Sequence, residues 1–278
     1  MNGHDVFLLS PEISLVCLGL LVMGLDLLLE RKNVLPFVAT LGLAVPFALS
    51  VILWGEVHAT DEGSMIGIFG ALTVDKFALF FKFLVLGITG LVIMASIDYR
   101  HRLQGVQGEF LGLLLFSATG MMLLAATTEL ISIYVSLELT ALPLIALAAF
   151  LMSPRSSEAG LKFLVLGGIS SAFLLYGMVL VYGLAGSTYL VDIAQSLSEP
   201  MAVGVPFGGH ALLLGIILIL AGFAFKIASV PFQMWIPDVY EGAPVPVVAF
   251  LSVASKAAGF AILLRVFYIG FPAFELDW

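Results

Sequence analysis

Eight long apolar runs dominate this sequence and limit what it can fold into. Each contains about 18 or more residues with few charges, the length that an α-helix needs to cross the hydrocarbon core of a bilayer. A membrane β-barrel would instead show shorter segments of alternating polarity, and that alternation is absent. We therefore predict an all-α polytopic membrane protein with about eight transmembrane helices. The runs cover about residues 11–29, 34–54, 74–97, 109–126, 128–151, 161–185, a stretch from 210 that meets Pro231 and Pro237, and 244–269.

Composition excludes several classes of function. With 61% hydrophobic and 11% charged residues, the chain has more apolar surface than a soluble domain of 278 residues requires. The formal charge of -8 argues against a nucleic-acid partner, which would call for a basic patch. The single cysteine, Cys17, cannot form an internal disulfide or hold an iron–sulfur cluster, and the four histidines lack ligand-like spacing. We expect no metal or cofactor site built from this chain alone.

Basic residues predict how the chain crosses the membrane. Lysine and arginine in short loops favour the cytoplasmic side. The loops after the first, third and fifth runs contain Arg31, Lys32, Arg100, Arg102 and Arg155, whereas the alternate loops carry mainly acids. This pattern predicts eight spans with both termini on the outer side.

Three charged residues fall near the predicted middle of the membrane. Glu138 is about ten residues into the fifth run, Lys226 about sixteen into the seventh and Lys256 about twelve into the eighth. A charged side chain at the bilayer centre costs about 2.5–3.5 kcal/mol on insertion scales, so it usually has a partner or a function. We expect Glu138 to pair with Lys226 or Lys256.

A proline interrupts the seventh run just after its lysine. Pro231 removes a backbone donor and clashes with the preceding turn, so the helix should kink or break there. Carbonyl groups freed at membrane depth must be buried in protein or line a water-filled cavity. A discontinuous helix with Lys226 beside the break is typical of an ion pathway.

The sequence also allows purely structural interpretations of these charged residues. Glu138 could be hydrogen-bonded to a neighbouring helix without further function, and Lys226 could snorkel to an interface, although both ends of its helix are far away. Small residues around Lys256 indicate close helix packing. Lys82, about eight residues into the third run, fits snorkelling and function equally well. Three further residues near run ends are expected to be interfacial anchors: Asp26, Glu129 and Arg265.

The stretch FAFKIASVPFQMWIPDVYEGAPVPVVAFLSVASKAAGFA closely resembles the seventh and eighth helices of the antiporter-like membrane subunits of respiratory complex I, the proton-pumping NADH:quinone oxidoreductase. Within that family the sequence is most similar to the N-type (chain 2) subunit. Supporting motifs are TVDKFALFFKFL, YVSLELTALPLIALAAF and LKFLVLGGISSAFLLYG, in the third, fifth and sixth runs. The resemblance covers nearly the whole chain.

This resemblance implies roles for the three midplane residues. Glu138 and Lys226 would form a coupled pair whose separation changes the proton affinity of the lysine, and Lys256 would relay protons along a central hydrophilic axis. These roles agree with the general behaviour of a buried lysine, whose pKa responds to desolvation and to a nearby carboxylate. Gln233 departs from the family pattern, because histidine often follows VPF there.

The resemblance also implies a domain organisation. Residues 1–108 would form three N-terminal transmembrane helices, and residues 109–269 the first five-helix antiporter-like repeat with its broken seventh helix. Residues 270–278 would be a C-terminal end, and the second repeat of the family would be absent from these residues. Either they are a fragment of a longer reading frame or the other half is a separate chain. A complete proton path within these residues is therefore not expected.

The implied function is proton translocation coupled to electron transfer from NADH to quinone, within a bacterial cytoplasmic (inner) membrane. FMN, iron–sulfur clusters and quinone would be bound by partner subunits, and the partners would be other membrane and peripheral subunits of complex I and the lipid bilayer. Two alternatives remain open. The chain could belong to a cation/proton antiporter or a membrane-bound hydrogenase, or it could be a non-conducting truncated scaffold.

Overall fold

The computed structural model describes residues 3–29, 34–60, 63–103, 105–198 and 208–272. Within these ranges, eight helical spans are long and apolar enough to cross a membrane, which confirms the predicted fold class. Two of the basic residues used for orientation, Arg31 and Lys32, lie outside the described residues, and so does most of the predicted C-terminal end, 270–278.

The helices are α1 (Gly3–Leu8), α2 (Ser10–Leu28), α3 (Leu35–Gly42), α4 (Ala44–Ala59), α5 (Lys76–Leu103), α6 (Gln107–Ala126), α7 (Leu130–Ala148), α8 (Pro154–Ala185), α9 (Leu190–Ser198), α10 (Gly208–Ile227), α11 (Ile236–Gly242), α12 (Val245–Phe250) and α13 (Lys256–Arg265). In chain order, the eight spans are α2, α3 with α4, α5, α6, α7, α8, α10, and α12 with α13. The three remaining helices, α1, α9 and α11, are short and lie before or between the spans. Two strands, β1 (Ser64–Gly67) and β2 (Leu72–Asp75), precede α5.

Helix α6 is the centre of the bundle. About 78% of its span is buried, against 28–50% for the other seven, and it packs against α2, α5 and α7. Glycines make this packing close: a Cβ at Gly120 would lie 2.6 Å from the backbone nitrogen of Thr140 on α7. Small residues are what allow helices to approach so closely in a membrane, where lipid is as apolar as the helix surface. The N-terminal helices and the later ones therefore share one core.

A β-hairpin occupies the predicted polar loop before the third span. Strands β1 and β2 are antiparallel, with Ser64 opposite Asp75. The residues that link α6 to α7 form backbone hydrogen bonds with the hairpin and with the start of α9. Thr128 N–H donates to the Ala71 carbonyl at 3.0 Å, and the Thr128 carbonyl accepts from Leu190 N–H at 3.0 Å. This backbone network joins the hairpin, the start of α7 and the start of α9 on one side of the membrane.

Glu129 caps helix α7 within this network and was predicted to be an interfacial anchor. It is 6% exposed, and Oε2 accepts hydrogen bonds from the backbone N–H and the hydroxyl of Ser132, both at 2.7 Å. Burial alone would raise the pKa of this carboxyl, but hydrogen bonds from Thr188 and Ser132 outweigh it, so the pKa lies below its ordinary value of 4.5. The carboxylate thus satisfies free N–H groups of the first turn.

We expect Glu129→Gln to remove a pH-dependent part of stability. Because the native pKa is lowered, ionised Glu129 stabilises the fold above pH 4.5, and this contribution disappears as the pH falls through the native value. Thermal unfolding in detergent at pH 7 and at pH 4 measures this. The gap between wild type and variant should be about 0.5–2 kcal/mol at pH 7, the usual value of a helix cap, and should shrink at pH 4. An equal gap at both pH values would contradict the assignment.

Lys82 and Glu12 form an ion pair inside the protein. Nζ of Lys82 lies 2.7 Å from Oε1 of Glu12, and the two side chains are 0% and 3% exposed. The pair joins α5 to the first turn of α2. Snorkelling, one of the two interpretations of Lys82, is therefore wrong, because its ammonium group points to a carboxylate within the bundle rather than to the interface.

Removing one member of this pair should be far more harmful than removing both. Glu12→Leu leaves a buried ammonium without its counterion, which typically costs about 3–5 kcal/mol. Glu12→Leu combined with Lys82→Met replaces the pair by apolar side chains, which is often neutral or stabilising. The thermal midpoint of the purified protein in detergent should fall in the single variant and recover in the double variant. Equal losses in both would show that the pair has another role.

Candidate functional site

The seventh span ends abruptly beside its lysine. Ala228 follows the last helical residue, Ile227, with a φ of 60°, in the left-handed region that side chains other than glycine rarely adopt. Ser229 N–H donates to the carbonyl of Ala224 at 2.8 Å. Ala228 N–H donates to the carbonyl of Phe225 at 3.1 Å. This is the hydrogen-bond pattern of a Schellman motif, which terminates a helix by satisfying its last carbonyl groups.

The predicted break is therefore present, but it begins three residues before Pro231. A non-helical stretch, 228–235, leads into α11. Trp235 ends this stretch and is 3% exposed; its ring stacks on Phe163 of α8 at 4.7 Å, and Nε1 donates to the Phe225 carbonyl at 3.3 Å. A carbonyl near the helix end is thus paired by a side chain, as the membrane environment requires.

Glu138 and Lys226 lie on two different spans of the bundle, α7 and α10. Glu138 accepts a hydrogen bond from the hydroxyl of Ser171 on α8 at 2.5 Å. Among the described residues no ion pair within 4 Å joins Glu138 to Lys226. Lys226 lies in the last turn of α10, where the helix dipole favours a positive charge.

A small cavity lies beside Lys226. Its volume is about 10 Å³, which is room for the centre of about one water molecule. Polar groups line it from three spans, namely Lys226, Thr140 on α7 and Ser255 on the eighth span; the rest of the lining is apolar and aromatic: Ala141, Leu144, Phe163, Phe225 and Trp235. The cavity connects the neighbourhood of Lys226 to the residue before Lys256.

Lys256 has a different environment from Lys226. It follows a π-helical turn, 251–255, which widens the eighth span at this point. Its Nζ lies 5.8 Å from the centre of the Tyr240 ring. Among the described residues no carboxylate lies within ion-pair distance of it. Among the described residues neither of the two candidate partners, Lys226 and Lys256, is within ion-pair distance of Glu138.

The two lysines are nevertheless held on neighbouring backbones. A Cβ at Gly259 would lie 2.8 Å from Cγ2 of Ile227, so α13 and the end of α10 are in close contact. The small residues that the sequence placed around Lys256 allow this approach. Among the described residues there is no group of three or more His, Cys, Asp or Glu that could hold a metal ion.

Several residues of the site were not singled out by sequence reasoning. Ser171 belongs to a small-residue stretch, GGISSAF, that indicated helix packing but not a hydrogen bond to Glu138. Trp235 and Tyr240 lie in a segment without apolar periodicity, so no local pattern indicates which way their rings point. Arg265 was predicted to be an anchor; it is instead 4% exposed and pairs with Asp75 at 2.8 Å.

Comparisons with known proteins place this chain in a family. The family described as "NADH:quinone oxidoreductase/Mrp antiporter, TM" matches residues 127–274. NADH-quinone oxidoreductase subunit N of Dehalococcoides mccartyi is 42% identical over 279 aligned residues, which cover 99% of this chain and 56% of that protein. NAD(P)H-quinone oxidoreductase subunit 2 of Synechocystis is 39% identical and covers 96% of this chain and 50% of that protein. The chain thus spans about half the length of these relatives.

Solved structures agree. A chain of respiratory complex I from Thermus thermophilus superposes with a TM-score of 0.72 at 34% identity, over 92% of this chain and 53% of that one. A chain of an archaeal membrane-bound sulfane sulfur reductase superposes with a TM-score of 0.76 at 22% identity, over 96% of this chain and 53% of that one. The second match is a likeness of fold alone.

The close contact between α8 and α10, the helices of Ser171 and Lys226, should contribute to the stability of the protein. A Cβ at Gly177 would lie 2.7 Å from the Gly215 carbonyl oxygen, which is backbone and cannot turn aside. We expect Gly177→Ala to push α10 away from α8 and to destabilise the protein by about 1–3 kcal/mol, measured by thermal unfolding in detergent. Gly168→Ala on the same helix is the matched control, since a Cβ there meets open space. Equal stability of the two variants would contradict this packing.

Proposed function

The chain belongs to the NADH:quinone oxidoreductase/Mrp antiporter transmembrane family, and on this basis we propose that it forms part of the membrane arm of a proton-pumping NADH:quinone oxidoreductase. In this role it translocates protons across the bacterial inner membrane, coupled to electron transfer from NADH to quinone in partner subunits. The observation that carries the proposal is the arrangement of the site: Lys226 lies in the last turn of a helix that ends beside a small cavity, and Glu138 on α7 is bonded to Ser171 on α8.

The proposed proton step depends on the distance between these two charges. While Glu138 is near, its negative charge favours the ammonium form of Lys226; when the distance grows, burial favours the neutral amine and the proton leaves. The break gives the lysine end of α10 freedom that a continuous helix would lack. Ser171 holds the carboxylate from α8, so a movement between α7 and α8 would alter the field at the lysine.

Lys256 is the proposed next carrier. The cavity beside Lys226 reaches Ser255, and a single water there would have Lys226, Thr140 and Ser255 as polar neighbours. A proton released by Lys226 could pass through such a water towards the eighth span. This supports Lys256 as a relay residue rather than as the ion-pair partner of Glu138.

The proposed domain organisation places the site in one unit. Residues 109–269 form the first five-helix repeat, which contains Glu138, Lys226 and Lys256, and residues 1–108 form an N-terminal three-helix unit packed on it. The relatives are about twice as long as this chain, so we propose that the remainder of their proton path is supplied from outside these residues. FMN, the iron–sulfur clusters and the quinone site are assigned to partner subunits.

A cation/proton antiporter subunit is the second candidate, because the family description covers Mrp antiporters as well. The relatives of about 40% identity carry oxidoreductase names, which favours the first candidate. The two differ in what drives transport. Proton movement that requires NADH supports the oxidoreductase, and sodium-dependent proton exchange without NADH supports the antiporter.

The Lys226→Ala variant tests the proposed function. We expect proton pumping in inverted membrane vesicles to fall by at least about tenfold, because removal of a positioned proton-transfer group commonly costs on the order of 100-fold. Assembly of the complex, checked on native gels, should remain. The control is Arg102→Ala, which removes an exposed charge at the end of α5. Full NADH-driven pumping in a correctly assembled Lys226→Ala complex would refute the role of Lys226.

A further inference from the structure

The segment after the break folds back onto the bundle and is fixed there through its polar face. In α11, Oδ2 of Asp238 lies 3.0 Å from Nζ of Lys162, and Oε1 of Glu241 lies 3.9 Å from Nη1 of Arg155. Both of these basic residues are on α8. The backbone is equally close, since a Cβ at Gly242 would lie 2.5 Å from the Arg155 carbonyl oxygen. With its acidic side chains directed to α8, the helix presents Tyr240 to the interior.

The ring of Tyr240 contacts two groups of the site. Its centre is 5.8 Å from Nζ of Lys256, within the distance at which an ammonium group is attracted to an aromatic face. The ring of Trp235 also meets it edge to face, with the ring centres 6.4 Å apart. The Tyr240 hydroxyl oxygen is buried and has no hydrogen-bond partner among the described residues. The contacts of this side chain that the structure shows at the site are thus those of its ring.

We propose that Tyr240 is a positioning residue for Lys256: its ring face holds the ammonium group of Lys256 in place. This inference rests on the proposed role of Lys256 as a proton relay and assigns to a residue of the connecting helix a part in placing that relay.

The electrostatic environment supports a ring contact. Among the described residues Lys256 has no carboxylate within ion-pair distance, so the aromatic face is the attractive group that the structure provides. Burial raises the pKa of the Tyr240 phenol above its ordinary value of 10.0. The phenol therefore stays neutral at physiological pH and attracts the lysine through the quadrupole of its ring and not as a phenolate.

The same contacts connect Lys256 to the break. Trp235 is stacked on Phe163 and bonded to the Phe225 carbonyl, one residue before Lys226. Trp235 is also packed against the ring of Tyr240, whose face lies over Lys256. Two aromatic side chains thus link the end of α10 to the position of Lys256.

The test compares variants of Tyr240 in the assembled complex. Inverted membrane vesicles are supplied with NADH, and the initial rate of proton uptake is measured with a fluorescent pH-gradient dye and divided by the rate of NADH oxidation. Tyr240→Leu should lower this ratio by about three- to tenfold, the range of a cation–π contact of about 0.7–1.4 kcal/mol. Tyr240→Phe, which keeps the ring, should restore most of it. Tyr176→Leu, an exposed tyrosine on α8, is the matched control.

Repeating the Tyr240→Leu measurement in a complex that lacks Lys256 separates a positioning role from general structural damage. If Tyr240 acts through Lys256, Tyr240→Leu should cause no further loss in a complex that already carries Lys256→Ala. If the leucine variant does not assemble, Tyr240→Met takes its place with the same expectations, because methionine adapts to irregular space.

The outcomes are distinguishable. If Tyr240→Phe is as impaired as Tyr240→Leu, the hydroxyl and not the ring matters, and the inference is wrong. If Tyr240→Leu pumps normally while Lys256→Ala does not, the inference fails and the proposed relay stands. If Lys256→Ala pumps normally, the relay and the inference that rests on it both fail.

Discussion

A charge in a membrane must be compensated, and this requirement divides the charged residues of the bundle into two groups. Lys82 with Glu12 and Arg265 with Asp75 are in contact, at 2.7 and 2.8 Å. Each of these pairs compensates its charges locally and joins distant parts of the chain. At the site, by contrast, the charges are compensated by weaker means: a hydroxyl for Glu138, a helix end for Lys226 and an aromatic face for Lys256. None of these contacts compensates a charge as fully as an ion pair in contact does.

The difference follows from the strength of the contacts. A buried ammonium in contact with a carboxylate is held in its charged form, because either partner alone would be left uncompensated at a cost of several kcal/mol. A proton carrier needs two forms of similar free energy, which requires a partner whose influence can be altered. At the site, Glu138 is bonded to Ser171 on another helix and is not in contact with Lys226. The same residue types thus form contact ion pairs in one place and, under the proposed function, carry protons in the other.

The sequence was sufficient for the spans and for the existence of the break, because both depend on local chemistry: apolar length and proline. It was not sufficient for the position of the break. Helix α10 ends at Ile227, and the left-handed residue that follows, Ala228, belongs to a backbone motif that usually employs glycine, so no residue type indicated it. The hairpin before α5 was missed for a different reason, since its strands have four residues each and pair with the distant link at Thr128. The partner of Lys82, 70 positions away at Glu12, likewise depends on the tertiary fold.

The early end of α10 explains why the connecting segment matters. Because α10 ends at Ile227, eight non-helical residues, 228–235, precede α11. Within this stretch the chain turns so that Trp235 donates to the Phe225 carbonyl and packs against Phe163 of α8 and the Tyr240 ring. A left-handed alanine is unfavourable by about 1–2 kcal/mol. The strain is retained where it brings an aromatic ring to a lysine that no carboxylate in the described chain contacts.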